Sequence, residues 1–547
     1  MFARQKFNMT KAIQIAICAL LMTTGAFAQS GVSTVDSLPP TQLNWYNLDP
    51  DNTKVPGVSV ERAYEEILRG KKAKKKIIVA VIDSGVDTDH EDLEGAIWVN
   101  KDEIPDNGID DDKNGYVDDI NGWNFLGGKD TMVDVESYEM TRLVRDYGDR
   151  FEKERDPSSL SAKDKELYEM YKEAKEELTS RQESMEEQKE GIDQIKDNYR
   201  KYYNMIAADM RQEDIELEML ESYKPSSSEL IKAKAIVSIF LRTNFMDALD
   251  DAEEQIDKFL DFHLNTDYNA REAIGDDPDN IEDTDYGNNN VEGPSAGHGT
   301  FVSSLIAANR ENTVGIQGIA KSVQIMCLRA VPDGDEYDKD IALAIRYAVD
   351  NGANVINMSF GKAYSPHKDW VDEAMMYAAS KNVLLVHAAG NDSKNNDEKP
   401  SYPCDLTKDG KTVSTWMEIG ANTIKGKKYL CGTFSNYGVG SVDLFAPGVD
   451  VIGALPDDKY AMLNGTSFAS PVSAGVAALV WSYHPELSAE ELKDILMKSV
   501  TYYGKKKVKI PSNADKPPKA RFRDICLTGG VINAYRALLL ADGKELD

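Results

Sequence analysis

Cysteine, positive charge and long apolar runs are all scarce in this sequence. The 547 residues include five cysteines, too few for a fold that depends on a disulfide framework. Acidic residues outnumber basic ones by 93 to 63, and the net charge of −30 argues against nucleic acid as a partner because phosphates would be repelled. After the N-terminal 28 residues no stretch is long and apolar enough for a transmembrane helix, so we expect no membrane span in the mature chain.

The N-terminus has the pattern of a secretory signal peptide. Basic residues precede an apolar stretch from Ala12 to Met22, and Ala26-Phe27-Ala28 fits a cleavage site. We therefore expect residues 1–28 to be removed and the protein to be exported, to the periplasm, the cell surface or the medium. Export leaves two states open for Cys404 and Cys431, a disulfide bridge between them or free buried thiols.

An α/β domain is predicted after a short polar arm. Residues 29–70 are too few for an independent domain, and we interpret them as an N-terminal arm or short pro-region. The β-branched run Ile77–Ile82 then predicts a strand buried on both faces of a parallel sheet. Strand-like and helix-like segments alternate further on, as α/β domains require; they are Val323–Leu328, Ile341–Asn351, Val355–Met358, Trp370–Ser380 and Val383–Ala388.

A segment of different composition interrupts this domain. Residues 133–264 are rich in Glu, Lys, Gln, Met and Tyr and have almost no glycine. Apolar residues recur every seventh position, as in a coiled coil, at Tyr171, Leu178, Met185, Ile192, Tyr199 and Ile206. Pro225 ends this pattern, and Ser226 with Glu229 predicts the capped start of a returning helix. We expect an inserted antiparallel helical hairpin, which leaves residues 71–132 and 265–547 for the α/β domain.

Three residues far apart in the sequence give the strongest chemical signal. Asp83 ends the buried strand, His298 opens a helix beside two glycines, and Ser467 follows a glycine turn at the start of another helix. A serine hydroxyl needs a base to attack a carbonyl at neutral pH, and the base needs an acid that orients it. Since active sites lie at the carboxyl ends of parallel strands, the three residues together predict nucleophilic catalysis there.

The surroundings of these residues resemble the subtilisin-like serine proteases, the subtilase or S8 peptidase family. The resemblance implies a three-layer α/β fold with a parallel sheet and an endopeptidase that acts on polypeptides. It also implies that Ser467 is the nucleophile, His298 the general base and Asp83 the residue that orients the imidazole. The motifs that carry it, in the Asp, His, Ser order of that family, are Val81-Ile82-Asp83-Ser84-Gly85, His298-Gly299-Thr300 and Gly465-Thr466-Ser467-Phe468-Ala469-Ser470-Pro471.

The same resemblance assigns groups around the substrate. Ala388-Ala389-Gly390-Asn391 is similar to the family's oxyanion segment, so Asn391 is expected to donate from its side-chain amide, with Ala389 and Gly390 beside the substrate. Ser359-Phe360-Gly361 is similar to the strand that pairs with an extended substrate. Phe301 stands where many relatives carry histidine, and we expect it to shape a pocket wall.

An acidic loop predicts a structural calcium ion. From Asp110 to Asp119, oxygen-bearing residues alternate and a glycine stands at the sixth position, as at the start of an EF-hand loop. The twelfth position is Asn121 rather than glutamate, and an acidic turn without metal is the alternative. The expected ligands are Asp110, Asp112, Asn114, the carbonyl of Tyr116, and Asp118.

Three functions are compatible with these patterns. The first is an exported serine endopeptidase that hydrolyses peptide bonds through an acyl-enzyme. The second is a catalytically silent scaffold of the same fold that binds a protein partner through the helical insertion. The third is transpeptidation or ester hydrolysis at the same site. Intact Asp83, His298, Ser467 and Asn391 favour the enzyme. The insertion has no catalytic motif, so we expect it to control access or partner choice.

Overall fold

The computed structural model describes residues 40–153, 157–512 and 514–546. These residues form two compact units, one from Met140 to Tyr268 and the other from the chain on either side of it. The predicted signal peptide (1–28) and the first part of the predicted arm (29–39) lie outside the described residues. No helix in the described ranges is both long and apolar enough to cross a membrane.

The larger unit is built on a mostly parallel sheet, as predicted. Its strands are β1 (Ile77–Asp83), β2 (Gly122–Asn124), β3 (Val323–Arg329), β4 (Val355–Met358), β5 (Leu384–Ala388), β6 (Trp416–Thr423), β7 (Leu444–Val449), β8 (Val451–Leu455), β9 (Lys459–Leu463), β10 (Thr501–Tyr502), β11 (Lys507–Lys509), β12 (Lys519–Arg521) and β13 (Gly530–Val531). Among the described strands, nine lie side by side in the order β10-β13-β7-β6-β5-β4-β1-β3-β2. All neighbours in this sheet are parallel except β10 and β13.

Helices cover the sheet and form the second unit. They are α1 (Pro40–Leu43), α2 (Pro50–Thr53), α3 (Val60–Arg62), α4 (Glu139–Phe151), α5 (Ala162–Met210), α6 (Leu217–Ser222), α7 (Ser228–Thr243), α8 (Phe245–Lys258), α9 (Gly297–Ala307), α10 (Asp338–Asp350), α11 (Lys368–Ser380), α12 (Thr466–Tyr483), α13 (Ala489–Lys498) and α14 (Ala534–Ala541). Helix α12 packs on β4 to β7 and on α9, whereas α10 and α11 pack together and against β1 and β5. The result is the predicted three-layer α/β arrangement.

The principal core lies between the sheet and helix α12. Alternate residues of the central strands point into it, among them Val79, Val355 and Val386, each with none of its surface exposed. Helix α12 is rich in alanine and serine, and these small side chains let its backbone lie close to the strands. Close packing of this helix fixes its first turn, which contains Ser467, over the carboxyl edge of the sheet.

The predicted N-terminal arm is part of this same core. Trp45 and Tyr46 are fully buried, and Val58, Val60 and Ile67 join the cluster that also contains residues of α12. The sequence suggests a polar leader because these apolar residues are separated by charged ones. Their burial depends on partners near the opposite end of the chain, which local composition does not reveal.

The smaller unit is helical and covers most of the region of the predicted insertion. Helix α5 has 49 residues, and its buried side chains include Tyr171, Leu178, Ile192 and Ile206 of the heptad series. Its C-terminal half packs against α7 and its middle against α8, so the chain returns antiparallel to α5. The ends of the unit meet, because Thr141 Oγ1 donates to the carbonyl of His263 at 2.7 Å. An insertion needs such adjacent ends.

Details of the insertion differ from the sequence expectation. Helix α5 ends at Met210 with Arg211 in the left-handed region (φ 54°), well before Pro225. The cap of α7 is Ser227 rather than Ser226, and its hydroxyl accepts from the Leu230 N–H. The first boundary also lies later than residue 133, because Val135 pairs with Asp333 in the larger unit. The compact helical unit therefore runs from 140 to 268, whereas the sequence predicts an insertion from 133 to 264.

The cysteines of the described residues are free thiols. Cys431 is buried in a cluster that contains Cys526, whereas Cys404 is half-buried elsewhere. Burial raises the pKa of the Cys526 thiol to about 12, which makes its reactive thiolate rare at neutral pH. Of the two states left open by the sequence, the structure shows the free thiols.

Candidate active site

Asp83 and His298 form a hydrogen-bonded pair at the carboxyl edge of the sheet. Nδ1 of His298 lies 2.7 Å from Oδ1 of Asp83, although the residues are 215 positions apart. Asp83 is the last residue of β1 and is buried, whereas the imidazole of His298 in the first turn of α9 keeps 22% of its surface exposed. This geometry leaves a reactive ring held by a buried carboxylate.

Glycine at position 299 lets the two elements approach. A Cβ at Gly299 would lie 2.1 Å from the carbonyl oxygen of Gly85, so any side chain there would push α9 away from the end of β1. The backbone N–H of Ser84 also donates to Oδ1 of Asp83, at 2.8 Å. The other carboxylate oxygen, Oδ2, is buried without a hydrogen-bond partner in the part of the chain that the structure describes.

The pair shifts the protonation of the imidazole. Burial of His298 lowers its pKa, but the charge of Asp83 and the hydrogen bond to it raise the pKa by more, so the net shift is upward. Because Asp83 engages Nδ1, Nε2 is the ring nitrogen that can exchange a proton with a substrate or nucleophile. The contact with Asp83 thus fixes the orientation of the imidazole.

Ser467 opens helix α12 at the same edge of the sheet. The hydroxyl of Ser359, which follows β4, donates to the Ser467 carbonyl at 2.8 Å and so ties the helix start to the sheet. Phe468, the next residue, packs its ring against that of His298 with centroids 5.7 Å apart. Ser467 is half-buried, at a helix N-terminus that favours negative charge. The fold therefore brings the three predicted catalytic residues to one edge.

The amide of Asn391 is oriented by Thr466. Both the backbone N–H and the hydroxyl of Thr466 donate to Oδ1 of Asn391, each at 2.9 Å. Because these two hydrogen bonds hold Oδ1 of Asn391 toward Thr466, the NH₂ group of the amide points away from Thr466. Asn391 is exposed, and Thr466 directly precedes Ser467. The NH₂ group is therefore available to an oxygen of a bound substrate.

The predicted substrate segments follow neighbouring parallel strands. Ser359 to Gly361 continue β4, and Ala389 and Gly390 continue β5, with Met358 paired to His387 between them. Gly390 has φ +102° and donates its N–H to the Thr466 hydroxyl at 3.1 Å, a conformation that favours glycine. Gly361 is exposed and Phe360 half-buried, so this edge is accessible to an extended chain.

Phe301 does not occupy the pocket position that the sequence suggests. It is fully buried, and its ring packs on that of Phe468 with centroids 4.4 Å apart. A Cβ at Gly453 of β8 would lie 2.6 Å from the Phe301 ring. Phe301 thus fills the core behind the histidine and the nucleophile rather than forming a wall of a pocket, because helix α9 turns this side chain inward.

The acidic loop contains a compact group of carboxylates. Oxygens of Glu103, Asp112 and Asp119 lie within 4.8 Å of one another, and Asn114 donates its amide to Asp112 and Asp119. Of the predicted ligands, Asp112 belongs to this group and Asn114 borders it. Asp110 instead accepts the backbone N–H groups of Asn114 and Gly115.

Asp118 faces away from these carboxylates. Its two oxygens accept the backbone N–H groups of Asn107 and Gly108, at 3.2 and 2.8 Å. The side chain of Tyr116 packs edge-on against Trp123 and Tyr347, and this packing anchors the loop. An EF-hand alignment predicts carboxylates arranged around one centre. The loop instead holds its carboxylates in two separate places.

The donor chemistry of the three grouped carboxylates fits a hard divalent cation. Burial raises the pKa of Asp119 to about 6, against hydrogen bonds from Tyr347, Asn114 and Asn100 that lower it. Three carboxylates this close repel one another unless a cation or protons neutralise them. Oxygen-only donors with several negative charges are those that Ca²⁺ prefers.

Sequence reasoning did not identify several residues that shape these sites. Glu103 lies before the acidic loop and Asp119 just beyond its predicted ligands, so motif spacing alone did not find them. Thr466 lies within the serine motif, but its role depends on Asn391, which is distant in sequence. Asn357 supports Ser359 by donating to its hydroxyl at 2.9 Å. A polar residue at the end of a buried strand was the one available signal for Asn357.

Comparison with known proteins shows the family to which the sequence is similar. A model of the subtilase family matches residues 74–514 of the chain. A cell wall-associated protease of Bacillus subtilis (strain 168) is 38% identical over 216 residues, which are 39% of this chain and 22% of that protein. A thermophilic serine proteinase of Bacillus sp. (strain AK1) is 37% identical over 186 residues, 34% of this chain and 42% of that protein.

Subtilisin BL of Lederbergia lenta is matched over more of its own length. It is 35% identical over 209 residues, 38% of this chain and 71% of that protein. The chain spans less than half of the length of the cell wall-associated and thermophilic relatives.

Proposed function

Because the chain belongs to the subtilase family, we propose that it is a serine endopeptidase that hydrolyses peptide bonds through an acyl-enzyme. The observation that carries this proposal is the 2.7 Å contact between Asp83 and His298 at the sheet edge where Ser467 opens a helix. A base held by a buried carboxylate, beside a serine at a helix start, is the arrangement that makes a hydroxyl attack an amide.

Each residue of the site has a defined task in this reaction. Nε2 of His298 takes the proton from the Ser467 hydroxyl as the oxygen attacks the carbonyl carbon, and later gives it to the leaving amine. Asp83 holds the imidazole through Nδ1 and stabilises its cation. The amide of Asn391 donates to the oxygen that becomes negative, as Thr466 orients it to do. Hydrolysis of the ester at Ser467 completes the cycle.

The substrate on this proposal is an extended polypeptide. The segments Ser359–Gly361 and Ala389–Gly390 offer main-chain groups at the end of two neighbouring strands. A chain laid against them adds hydrogen bonds only if its own backbone is extended. Unfolded proteins and exposed loops should therefore be cleaved in preference to helices.

A calcium ion with a structural role belongs to the same proposal. Glu103, Asp112 and Asp119 would hold it through carboxylate oxygens, and Asn114 borders the group. When bound, the ion supplies positive charge that neutralises three adjacent acids and ties the 103–119 loop together. It takes no part in bond cleavage.

Export and domain organisation complete the proposal. Residues 1–28 serve as a signal peptide that sends the enzyme to the periplasm, the cell surface or the medium. The helical insertion controls access or binds a protein partner, and support comes from two exposed isoleucines on helix α7, Ile231 and Ile239, each 58% exposed. Another function compatible with this fold, a silent scaffold, would use this insertion alone.

Cleavage of a peptide library by the purified full-length protein tests the proposal. We expect new amino termini, detected by mass spectrometry, with the wild type and none with Ser467→Ala. Asp89→Asn serves as a matched control, because Asp89 is an exposed carboxylate that follows Asp83 in the sequence and has no task in the reaction. A wild type that folds but generates no new termini from any peptide would favour the silent scaffold.

A further inference from the structure

The N-terminal arm lies outside the region that the family model matches, yet it is part of the core of the larger unit. The match begins at residue 74, whereas the described arm begins at residue 40. Trp45 and Tyr46 have none of their surface exposed, and they belong to the same core cluster as helix α12. A segment that supplies fully buried aromatic side chains is part of the core of the folded unit.

Polar contacts join the arm to segments near the other end of the chain. The backbone N–H of Ala534 donates to the Val58 carbonyl at 2.8 Å, and the amide of Asn533 donates to the Ser59 hydroxyl at 2.9 Å. The amide of Asn422, on β6, donates to the Pro56 carbonyl at 3.0 Å. Removal of the arm would take away the acceptor of the buried Asn422 amide and leave the Asn533 amide with Thr501 alone, which costs stability.

A further hydrogen bond of the arm connects it to the segment that precedes Ser467. The indole N–H of Trp45 donates to the carbonyl of Asp450 at 2.8 Å. The N–H of the same Asp450 donates to Oδ1 of Asn464 at 2.7 Å. The turn from the end of β7 to the start of β8, Gly448–Asp450, also contains the Gly448 carbonyl, which accepts the Gly465 N–H at 2.8 Å. The turn therefore lies between the indole and the glycine segment that leads directly into Ser467.

The turn needs this support because its backbone is strained. Asp450 has φ +56°, a left-handed conformation that an aspartate adopts at some cost. A Cβ at Gly448 would lie 2.6 Å from the Gly465 carbonyl, so the two segments are also in close contact. A shift of the turn would thus be passed to Gly465 and to the start of helix α12.

We propose that the arm from Trp45 onward is retained in the active enzyme and that Trp45 is a positioning residue for Ser467. Its indole fixes the Gly448–Asp450 turn, and the turn fixes Asn464 and Gly465, on which the place of the Ser467 hydroxyl depends. This inference rests on the proposed function of Ser467 as the nucleophile. The arm, which lies outside the residues that the family model matches, thus has a direct part in the geometry of the site.

Kinetics of full-length variants test the positioning. In Trp45→Phe the ring remains and the N–H donor is lost, so we expect kcat for a small peptide ester to fall about tenfold with KM little changed, as for a slightly misplaced nucleophile. Trp481→Phe is the matched control, because Trp481 is also a buried indole that donates to a carbonyl, that of Leu487, at 2.9 Å. It should lower the melting temperature similarly and leave kcat unchanged.

Variants of Asn464 test the same turn independently of Trp45. Asn464 is exposed, so Asn464→Ala should fold, and we expect the same fall in kcat as for Trp45→Phe. Asn464→Asp keeps the acceptor oxygen and should restore most of the rate. The double variant with Trp45→Phe should lose little more than either single one, because both act through one turn.

The amino terminus of the active enzyme tests retention of the arm. The wild type is labelled with a fluorophosphonate probe and the labelled protein is sequenced from its N-terminus, which should lie before Trp45. An N-terminus after Trp45, or wild-type kcat in both Trp45→Phe and Asn464→Ala, would overturn the inference. Absence of labelling and hydrolysis in the wild type itself would instead refute the proposed function.

Discussion

The carboxylate of Asp83 lies 2.7 Å from Nδ1 of His298, across 215 residues of sequence that include the whole helical insertion. The contact sets the tautomer of the ring and the direction of its other nitrogen. It also decides the pKa of the base, since the charge of Asp83 offsets the effect of burial. The first prediction concerns this balance.

Replacement of Asp83 should move the acid limb of the pH profile. In the wild type the Asp83 charge raises the His298 pKa above its usual 6.5. Because hydrolysis needs the neutral ring, kcat/KM should increase with pH, with the midpoint of the increase above pH 6.5. In Asp83→Asn this charge is lost while burial still lowers the pKa, so the limb should move to lower pH while kcat falls about 10⁴-fold. Profiles with a small peptide ester measure both, and an unmoved limb would contradict the pairing. Asp89→Asn, which removes an exposed negative charge, should leave the limb in place.

Removal of the Asn391 amide should slow turnover without weakening binding. For Asn391→Ala we expect a loss of about 10²–10³ in kcat, the effect of removing one oxyanion donor in subtilisin, a relative, with KM little changed. Thr466→Val removes the hydroxyl that helps to orient the amide and should give a smaller loss. Thr466→Ser keeps that hydroxyl and is the control. Equal kcat in wild type and Asn391→Ala would show that another group stabilises the oxyanion.

Chelation should destabilise the protein through the 103–119 loop. A cation bound only to the folded state at a concentration 100-fold above its Kd adds about 2.7 kcal/mol, so a chelator should lower the melting temperature by several degrees. The effect should shrink in Asp112→Asn, whose carboxylate belongs to the group with Glu103 and Asp119. Asp118→Asn is the matched control, because Asp118 lies in the same loop but binds backbone N–H groups. A full chelator effect in Asp112→Asn would exclude this site.

Deletion of the insertion should spare the chemistry. Residues 140–268 form a separate compact unit whose ends meet, and the predicted catalytic residues all belong to the other unit. A short glycine–serine linker in their place should therefore leave hydrolysis of a small peptide ester within about threefold of wild type, while cleavage of folded proteins changes. Complete loss of ester hydrolysis in a folded deletion variant would contradict a role in access or partner choice.

Much of the larger unit could be predicted because its signals are local. The β-branched run at Ile77 to Ile82 predicts a buried strand by itself, and the alternating segments up to Ala388 predict the parallel sheet. Asp83 comes directly at the end of such a strand, so its place at the carboxyl edge also follows from the sequence. The same rule places Asn391, which follows β5, at that edge.

The features that the sequence did not reveal depend on distant partners. Trp45 looks like an isolated aromatic residue in a polar arm until Asp450 and the C-terminal segments are brought beside it. Residues 133–139 resemble the insertion in composition, but the pairing of Val135 with Asp333 assigns them to the larger unit. The acidic loop suggested one ring of ligands, whereas Glu103 and Asp118 divide it in two. Periodicity and spacing contain no information about such pairings.

Labelling with a fluorophosphonate is the most direct test that the serine, the histidine and the aspartate act as one site. The probe reacts only with a serine whose base is in place, and intact-mass and peptide mass spectrometry identify the modified residue. The account predicts one adduct per chain, located on Ser467, absent from Ser467→Ala and greatly slowed in His298→Ala. A folded wild type that takes up no label, or an adduct on any other residue, would contradict it.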